Sequence, residues 1–229
     1  MNQMEEEFSN YLSDFITAHK KRRIEELLDK RTRYLTLVLE NIYKPHNASA
    51  VIRTADCFGI QDVHIIEREN SYKINPYVTR GAAQWVDIYK YTQGEDSDNP
   101  VEVCIDHLHG EGYKVYATSP QSGSLSIHEL QPHQKTALVF GNEHEGVSEE
   151  VISKVDGLVH IPMYGFSDSF NLSVSASIFL FDLLKKAKAL DPKHFYLTEE
   201  EKQVIRHKWY RSIVKQVELH EKEFYKKKG

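Results

Sequence analysis

Three short polar segments concentrate the residues able to do chemistry. KPHNASAVIRTADCFG holds Asn47 and Arg53, an amide that both donates and accepts hydrogen bonds and a fixed cation shaped for phosphate. LVFGNEHEGVS sets Glu143 and Glu145 between Gly141 and Gly146. A glycine turn bearing carboxylates suits a cationic or hydroxyl-rich ligand better than a phosphate. IPMYGFSDSFNLSVSAS carries Gly165, Ser169 and Asn171 and opens into a long apolar stretch. Locally, Pro45 fixes the chain before a turn, Asn47 is placed to cap a helix, and Gly59 ends that helix. Val51, Ile52, Ala55 and Phe58 form its apolar stripe, which leaves Arg53 on the polar side. Ser148 is placed to cap the helix SEEVISKV.

The elements that must position these residues are legible as short apolar runs. LTLVLENI, DVHIIE, VDIYKY, KVYATS, TALVFG and LVHIPM predict strands, most of them separated by stretches of helical period. Such alternation predicts an α/β layer structure with a largely parallel sheet, in which ligands collect where strands hand over to loops at their carboxyl ends. The three polar segments follow such ends. Residues 1 to 33 read as helix, with apolar positions Phe8, Leu12, Phe15, Ile16, Ile24, Leu27 and Leu28. After Asp191-Pro192 the stretch EEEKQVIRHKWYRSIVKQVELHEKEF predicts one more helix. The expected organisation is therefore a basic helical extension over 1–33, an α/β domain over 34–190 and a second basic helical extension over 191–229. IFLFDLL is apolar nearly all the way round and needs cover on more than one side, for which a second subunit is the economical solution.

Composition narrows the function classes. At 229 residues with 40% hydrophobic and 28% charged residues, the chain can build a real core, which excludes wholesale disorder and fibrous repeats. No run is apolar enough to span a membrane, and MNQMEEEFSN is acidic where a signal peptide is basic and then apolar, so a cytoplasmic location is expected. Only Cys57 and Cys104 are present, without a CxxC clip, and the histidines are scattered; neither a disulfide framework nor a metal site is expected. The net charge of −5 argues against a polyanionic partner only on average. From His19 to Arg33 seven basic residues face three acidic ones, and from Lys185 onward thirteen face seven, so the middle is strongly acidic. Charge runs of this kind are as often plain solvated faces as they are grips on a polyanion.

Several familiar sites are absent. No GxGxxG follows the first strand, which demotes the nicotinamide oxidoreductase that strand alternation alone would suggest; GxxxxGK[ST], HExxH and GxSxG are missing too. The three polar segments, in their order, resemble the three motifs of the TrmH family within the SPOUT class of RNA 2′-O-ribose methyltransferases, over about residues 34 to 190. The Lys-Pro-His-Asn lead is most similar to the branch that methylates the D-loop guanosine of tRNA, guanosine 18. Relatives acting on ribosomal RNA often carry a sizeable RNA-binding domain ahead of the catalytic one, whereas only about 33 residues precede it here.

The resemblance implies a trefoil-knotted parallel-sheet domain, S-adenosylmethionine as cofactor, tRNA as substrate and a homodimer. It also implies that Asn47 and Arg53 are the catalytic pair, with Glu143, Ser169 and Asn171 completing the site. Cofactor contacts are implied for Thr118, Gly141, Ile161, Met163, Phe170 and Leu172; phenylalanine at 170, where leucine is more usual, alters the lining of the adenosine pocket. RNA capture is assigned to the tails, through Lys20, Lys21, Arg22, Arg23, Arg31 and Arg33 at one end and Lys208 and Arg211 at the other, with the Lys226 to Lys228 run alongside. Trp209 and Tyr210 offer stacking surfaces, although the commoner role for such a Trp is to dock its helix. The alternatives are a ribosomal RNA methyltransferase of the same class and an RNA-binding relative that has lost the chemistry.

Overall fold

The computed structural model describes residues 1–93 and 99–228. The chain divides into two compact units, one spanning Thr32–Phe195 and one formed by Met1–Arg31 together with Tyr196–Gly229. The two tails, expected as separate extensions, thus belong to a single unit, and the boundaries fall at Thr32 and Phe195.

The larger unit is built on a seven-stranded sheet, all of whose pairings are parallel. Its strands are β1 (Leu35–Glu40), β2 (Asp62–Glu67), β3 (Asp87–Thr92), β4 (Lys114–Thr118), β5 (Leu125–Ser126), β6 (Thr136–Phe140) and β7 (Gly157–His160), in the spatial order β3-β2-β1-β6-β4-β7-β5. Strands β1, β2 and β6 are buried along their whole length, which is why LTLVLE and TALVF read as mainly apolar runs, while β2 also buries Asp62, His64 and Glu67. The two-residue period of a strand sends alternate side chains to opposite faces. Leu37, Leu39, Leu138 and Phe140 join one core cluster with Val51, Ile52, Phe179 and Leu183. Val38, Ala137 and Val139 join a second with Val101, Ile105 and Val151.

The first cluster draws on α3 (Pro45–Cys57) and α7 (Leu172–Leu190), which pack against each other. The second draws on α5 (Pro100–Gly110) and α6 (Glu149–Lys154). A single turn, α4 (Pro76–Thr79), follows β2. Helix α6 is capped by Ser148, as its sequence predicts. The order β1-β6-β4-β7 brings the carboxyl ends of these four parallel strands side by side, with Leu39 paired to Phe140, Ala117 to Val139 and Thr118 to Val159. This shared edge positions the three polar segments.

The smaller unit holds α1 (Gln3–Ser13), α2 (Ala18–Leu28), α8 (Glu199–Ile213) and α9 (Val217–Lys228). Residues 1 to 33 therefore form two helices rather than one, because Thr17 caps a new start. The C-terminal stretch breaks likewise, at Val214 and at Gln216, whose φ of 54° lies in the left-handed region. Trp209 is buried and docks α8, so it offers no face to a base.

Candidate active site

A cavity of about 660 Å³ opens at the shared strand edge, and its walls come from the three polar segments together with the end of β4. Ten of the eleven expected catalytic and cofactor residues line it: Asn47, Thr118, Gly141, Glu143, Ile161, Met163, Ser169, Phe170, Asn171 and Leu172. The eleventh, Arg53, does not. It is exposed on α3 and lines a neighbouring cavity with His46, Tyr77 and Arg80.

The segments are tied together by amides and carboxylates. Asn47 Nδ2 donates to Glu143 Oε1 at 2.5 Å, and the other oxygen of Glu143 accepts from the Tyr43 N–H at 3.3 Å. Asn171 Nδ2 reaches Asn47 Oδ1 at 3.5 Å, so Asn47 stands between the second and third segments. Asn171 also caps α7, accepting from Ser173 N at 3.0 Å and Ser173 Oγ at 2.8 Å, which fixes its side chain against the helix start. Asn47 itself is no cap. Pro45 takes the first helical position, as its preset φ favours, so the cap residue is Lys44 and the Asn47 amide is released for Glu143.

Gly141 is required by close approach rather than by its own dihedrals. A Cβ there would stand 2.1 Å from the carbonyl carbon and oxygen of Gly146 and 2.3 Å from Val147 N. The loop closes on itself through Gly146 N donating to Asn142 O at 2.8 Å, with Gly146 at φ 75°. Behind it, Glu40 is buried at the end of β1 and accepts from Ser148 N at 3.0 Å and Ser148 Oγ at 2.5 Å, anchoring the far end of the same loop. Burial pushes the Glu40 carboxyl above its ordinary range, against the opposing pull of the Ser148 bonds. Asn41, at φ 49°, and Asn142 share this frame, Asn142 Nδ2 donating to Asn41 O at 3.4 Å. None of these three was singled out in the sequence; the signal available was a charged residue and an asparagine directly after an apolar strand.

The cavity is divided in character. Phe140, Val159, Ile161, Leu172 and Phe179 give it an apolar side, and Glu143, Glu145 and Asp168 give it carboxylates. An apolar slot beside carboxylates fits a molecule with a flat heterocycle and a cationic centre, which describes S-adenosylmethionine, and no unpaired arginine lines the cavity to favour a phosphate-rich cofactor. Among the described residues no group of three or more His, Cys, Asp or Glu is placed to hold a metal ion, and no helix is long and apolar enough to cross a membrane.

The basic residues assigned to RNA fall into two sets. Arg31 is 3% exposed with its guanidinium 5.2 Å from the Trp209 ring centroid, which removes it from the surface. Arg33 is held by Asp62 at 2.9 Å and Asp87 at 3.1 Å, and Arg211 by both oxygens of Glu221 at 2.8 Å. Those three cations serve the fold, their charges answered by an aromatic face or by carboxylates. Lys20, Arg22, Arg23 and Lys208 are exposed, and Lys21 is half-buried.

Comparison with known proteins agrees with this architecture. Residues 34–181 match the model of the SpoU rRNA Methylase family. The chain is 43% identical over 206 residues to a tRNA (guanosine(18)-2'-O)-methyltransferase of Borreliella burgdorferi, covering 89% of this chain and 90% of that protein. It is 33% identical over 210 residues to the protein of the same name from Aquifex aeolicus, covering 89% of this chain and 95% of that one. The crystal structure of an A. aeolicus TrmH/SpoU tRNA modifying enzyme superposes with a TM-score of 0.72 at 33% identity, over 86% of this chain and 98% of that one. With an all-parallel sheet, three motif loops meeting at one strand edge and matches of this extent, the chain belongs to the SpoU methylase family of RNA methyltransferases.

Proposed function

We propose that the protein transfers a methyl group from S-adenosylmethionine to the 2′-hydroxyl of guanosine 18 in the D-loop of tRNA, as a cytoplasmic homodimer whose catalytic domain carries the family's trefoil knot. The observation that carries this reading is the 43% identity over 206 residues to a tRNA guanosine-18 enzyme, joined to a cavity lined by ten of the eleven expected catalytic and cofactor residues. When bound, S-adenosylmethionine supplies a methyl on a sulfonium that leaves as a neutral thioether, so alignment and the hydroxyl's proton are the harder parts.

The chain's own residues address both. Glu143 and Asp168, which line the cavity, would place negative charge toward the cofactor's cationic centre, and backbone at Gly141, Ile161 and Leu172 would hold its heterocycle. Asn47, oriented from one side by Glu143 and from the other by Asn171, presents its amide to the ribose. Arg53 carries a planar cation with two parallel N–H donors, and so acts as a clamp on the adjacent phosphate and a stabiliser of the developing alkoxide. The proton passes to a phosphate oxygen or to water. Within one chain Arg53 lies outside the cavity, so it meets the ribose when a second copy covers α7, where Phe181 is 72% and Val174 44% exposed. Lys20, Lys21, Arg22, Arg23 and Lys208 supply longer-range attraction for the polyanion.

Incubation of the full chain with methyl-labelled cofactor and either purified tRNA or ribosomal RNA fragments, followed by nucleoside mass spectrometry, tests the reading. 2′-O-methylguanosine from tRNA is expected. Label confined to ribosomal RNA would favour the second reading, for which the description of the matching family model speaks. Arg53→Lys tests the clamp: turnover should fall at least tenfold, and near-normal turnover would show that bidentate geometry is unimportant.

A further inference from the structure

The cavity beside α3 has a charge logic opposite to that of the cofactor cavity. Its volume is about 530 Å³; His46, Arg53, Tyr77 and Arg80 face it, and no carboxylate lines it among the described residues. The larger unit contains four arginines, Arg33, Arg53, Arg68 and Arg80. Arg33 is ion-paired to Asp62 and Asp87, and Arg68 to Glu150 at 3.4 Å. The side chains of Arg53 and Arg80 have no hydrogen-bond or ion-pair partner among the described residues, and both face this one cavity. In the acidic part of the chain, two exposed guanidinium groups lining one cavity make it cationic and open to an anion.

Two further features mark the place. Arg80 sits at φ 48°, ψ 40°, a left-handed conformation that disfavours a long side chain and suits Gly or Asn. Arginine stands there against the backbone's preference. Tyr77, three residues earlier on the single turn α4, is 91% exposed and presents an uncovered aromatic face beside the two cations. A guanidinium pair with an exposed aromatic ring is the chemistry that grips single-stranded RNA: phosphodiesters on the cations, a base on the ring.

We propose that this cavity is an RNA-backbone subsite in which Arg80 binds a phosphodiester next to the one held by Arg53, while Tyr77 stacks on an unpaired base of the same strand. The inference rests on the RNA methyltransferase reading and adds Arg80 and Tyr77 to it as binding residues. Its role is to fix the strand on either side of the target ribose, so that affinity and alignment come from the same contacts.

The test compares Arg80→Asn and Tyr77→Ala with the unmodified full chain, measuring tRNA affinity over a range of salt concentrations, S-adenosylmethionine affinity by calorimetry, thermal stability and molar mass in solution. Asn tolerates the left-handed backbone, so Arg80→Asn is expected to fold, to melt no lower than the parent and to bind tRNA about tenfold more weakly. Its log–log salt slope should shrink by about 0.7, the loss of one single-strand phosphate contact. Tyr77→Ala is expected to weaken tRNA binding about tenfold with the slope unchanged, because stacking releases no counterion. Both should keep the cofactor affinity and molar mass of the parent. Unchanged tRNA affinity and slope in Arg80→Asn would overturn the proposal, as would a drop in molar mass, which would make this face a contact between subunits. Turnover of the unmodified chain on tRNA decides the parent reading separately, since these variants are compared by binding alone.

Discussion

The bond from Asn47 to Glu143 joins the first polar segment to the second. At 2.5 Å, with an ionised acceptor in a partly buried setting, it belongs to the charge-assisted class worth about 1.5–3 kcal/mol. If it sets the position of the Asn47 amide in the transition state, removing it slows methyl transfer by roughly 10- to 150-fold. Asn47→Ala deletes the donor, and also the acceptor that Asn171 reaches. Glu143→Ala removes both acceptor oxygens, the one that holds Asn47 and the one that takes the Tyr43 N–H. Because the two substitutions break the same bond, the double variant should be little slower than the worse single one, with a coupling energy of about 1–2 kcal/mol. The assay is kcat/KM for methyl transfer to tRNA for all four members of the cycle, alongside cofactor affinity measured by calorimetry. Losses that multiply, so that the free energies add within about 0.5 kcal/mol, would refute the claim that Asn47 is held by Glu143.

Two other perturbations probe the frame around the site. In Gly141→Ala the new methyl meets Gly146 backbone at 2.1 Å, and backbone cannot swing aside as a side chain would, so the loop must open. Cofactor affinity should fall more than tenfold, and an unaltered affinity would show that loop closure does not shape the cavity. His64, buried against Tyr91, is pushed down to about 3 by burial and secondarily by His107, so it stays neutral in the folded protein well below its ordinary value of 6.5. The unfolded chain takes up the proton near 6.5 and the folded one only near 3, so stability falls as the pH drops through that window, by up to about 1.4 kcal/mol per pH unit from this group. Denaturant midpoints of His64→Gln between pH 6.5 and 4 should show a shallower decline than the parent, and parallel profiles would contradict the assignment.

The sheet was readable because strands buried on both faces leave mainly apolar runs, and LTLVLE and TALVF needed no tertiary information. Breaks inside helical stretches were not. Asp14 to Thr17 and Val214 to Gln216 keep enough helical period to hide the interruptions, which depend on a threonine cap and a left-handed glutamine. Strand β5 has two residues and carries no pattern at all. The three motif segments are continuous in sequence and meet around one cavity, but the cap falls on Lys44 rather than on Asn47 because Pro45 takes the first helical position. Whether a cation is free or spent also escapes a one-dimensional reading. Arg31 looked like part of a basic run and is buried over Trp209 from the other end of the chain, whereas Arg80 lies in a stretch without any motif and emerges beside Arg53 only through the fold.

Delivery of a methyl to a ribose oxygen of the tRNA D-loop is the role proposed for the gathered loops. The most direct measurement uses two tRNAs identical except that one carries 2′-deoxyguanosine at position 18, each incubated with the full chain and methyl-labelled cofactor. Label is expected in the ribose-containing tRNA and none above background in the deoxy form. Equal incorporation into both would place the methyl elsewhere and contradict that role.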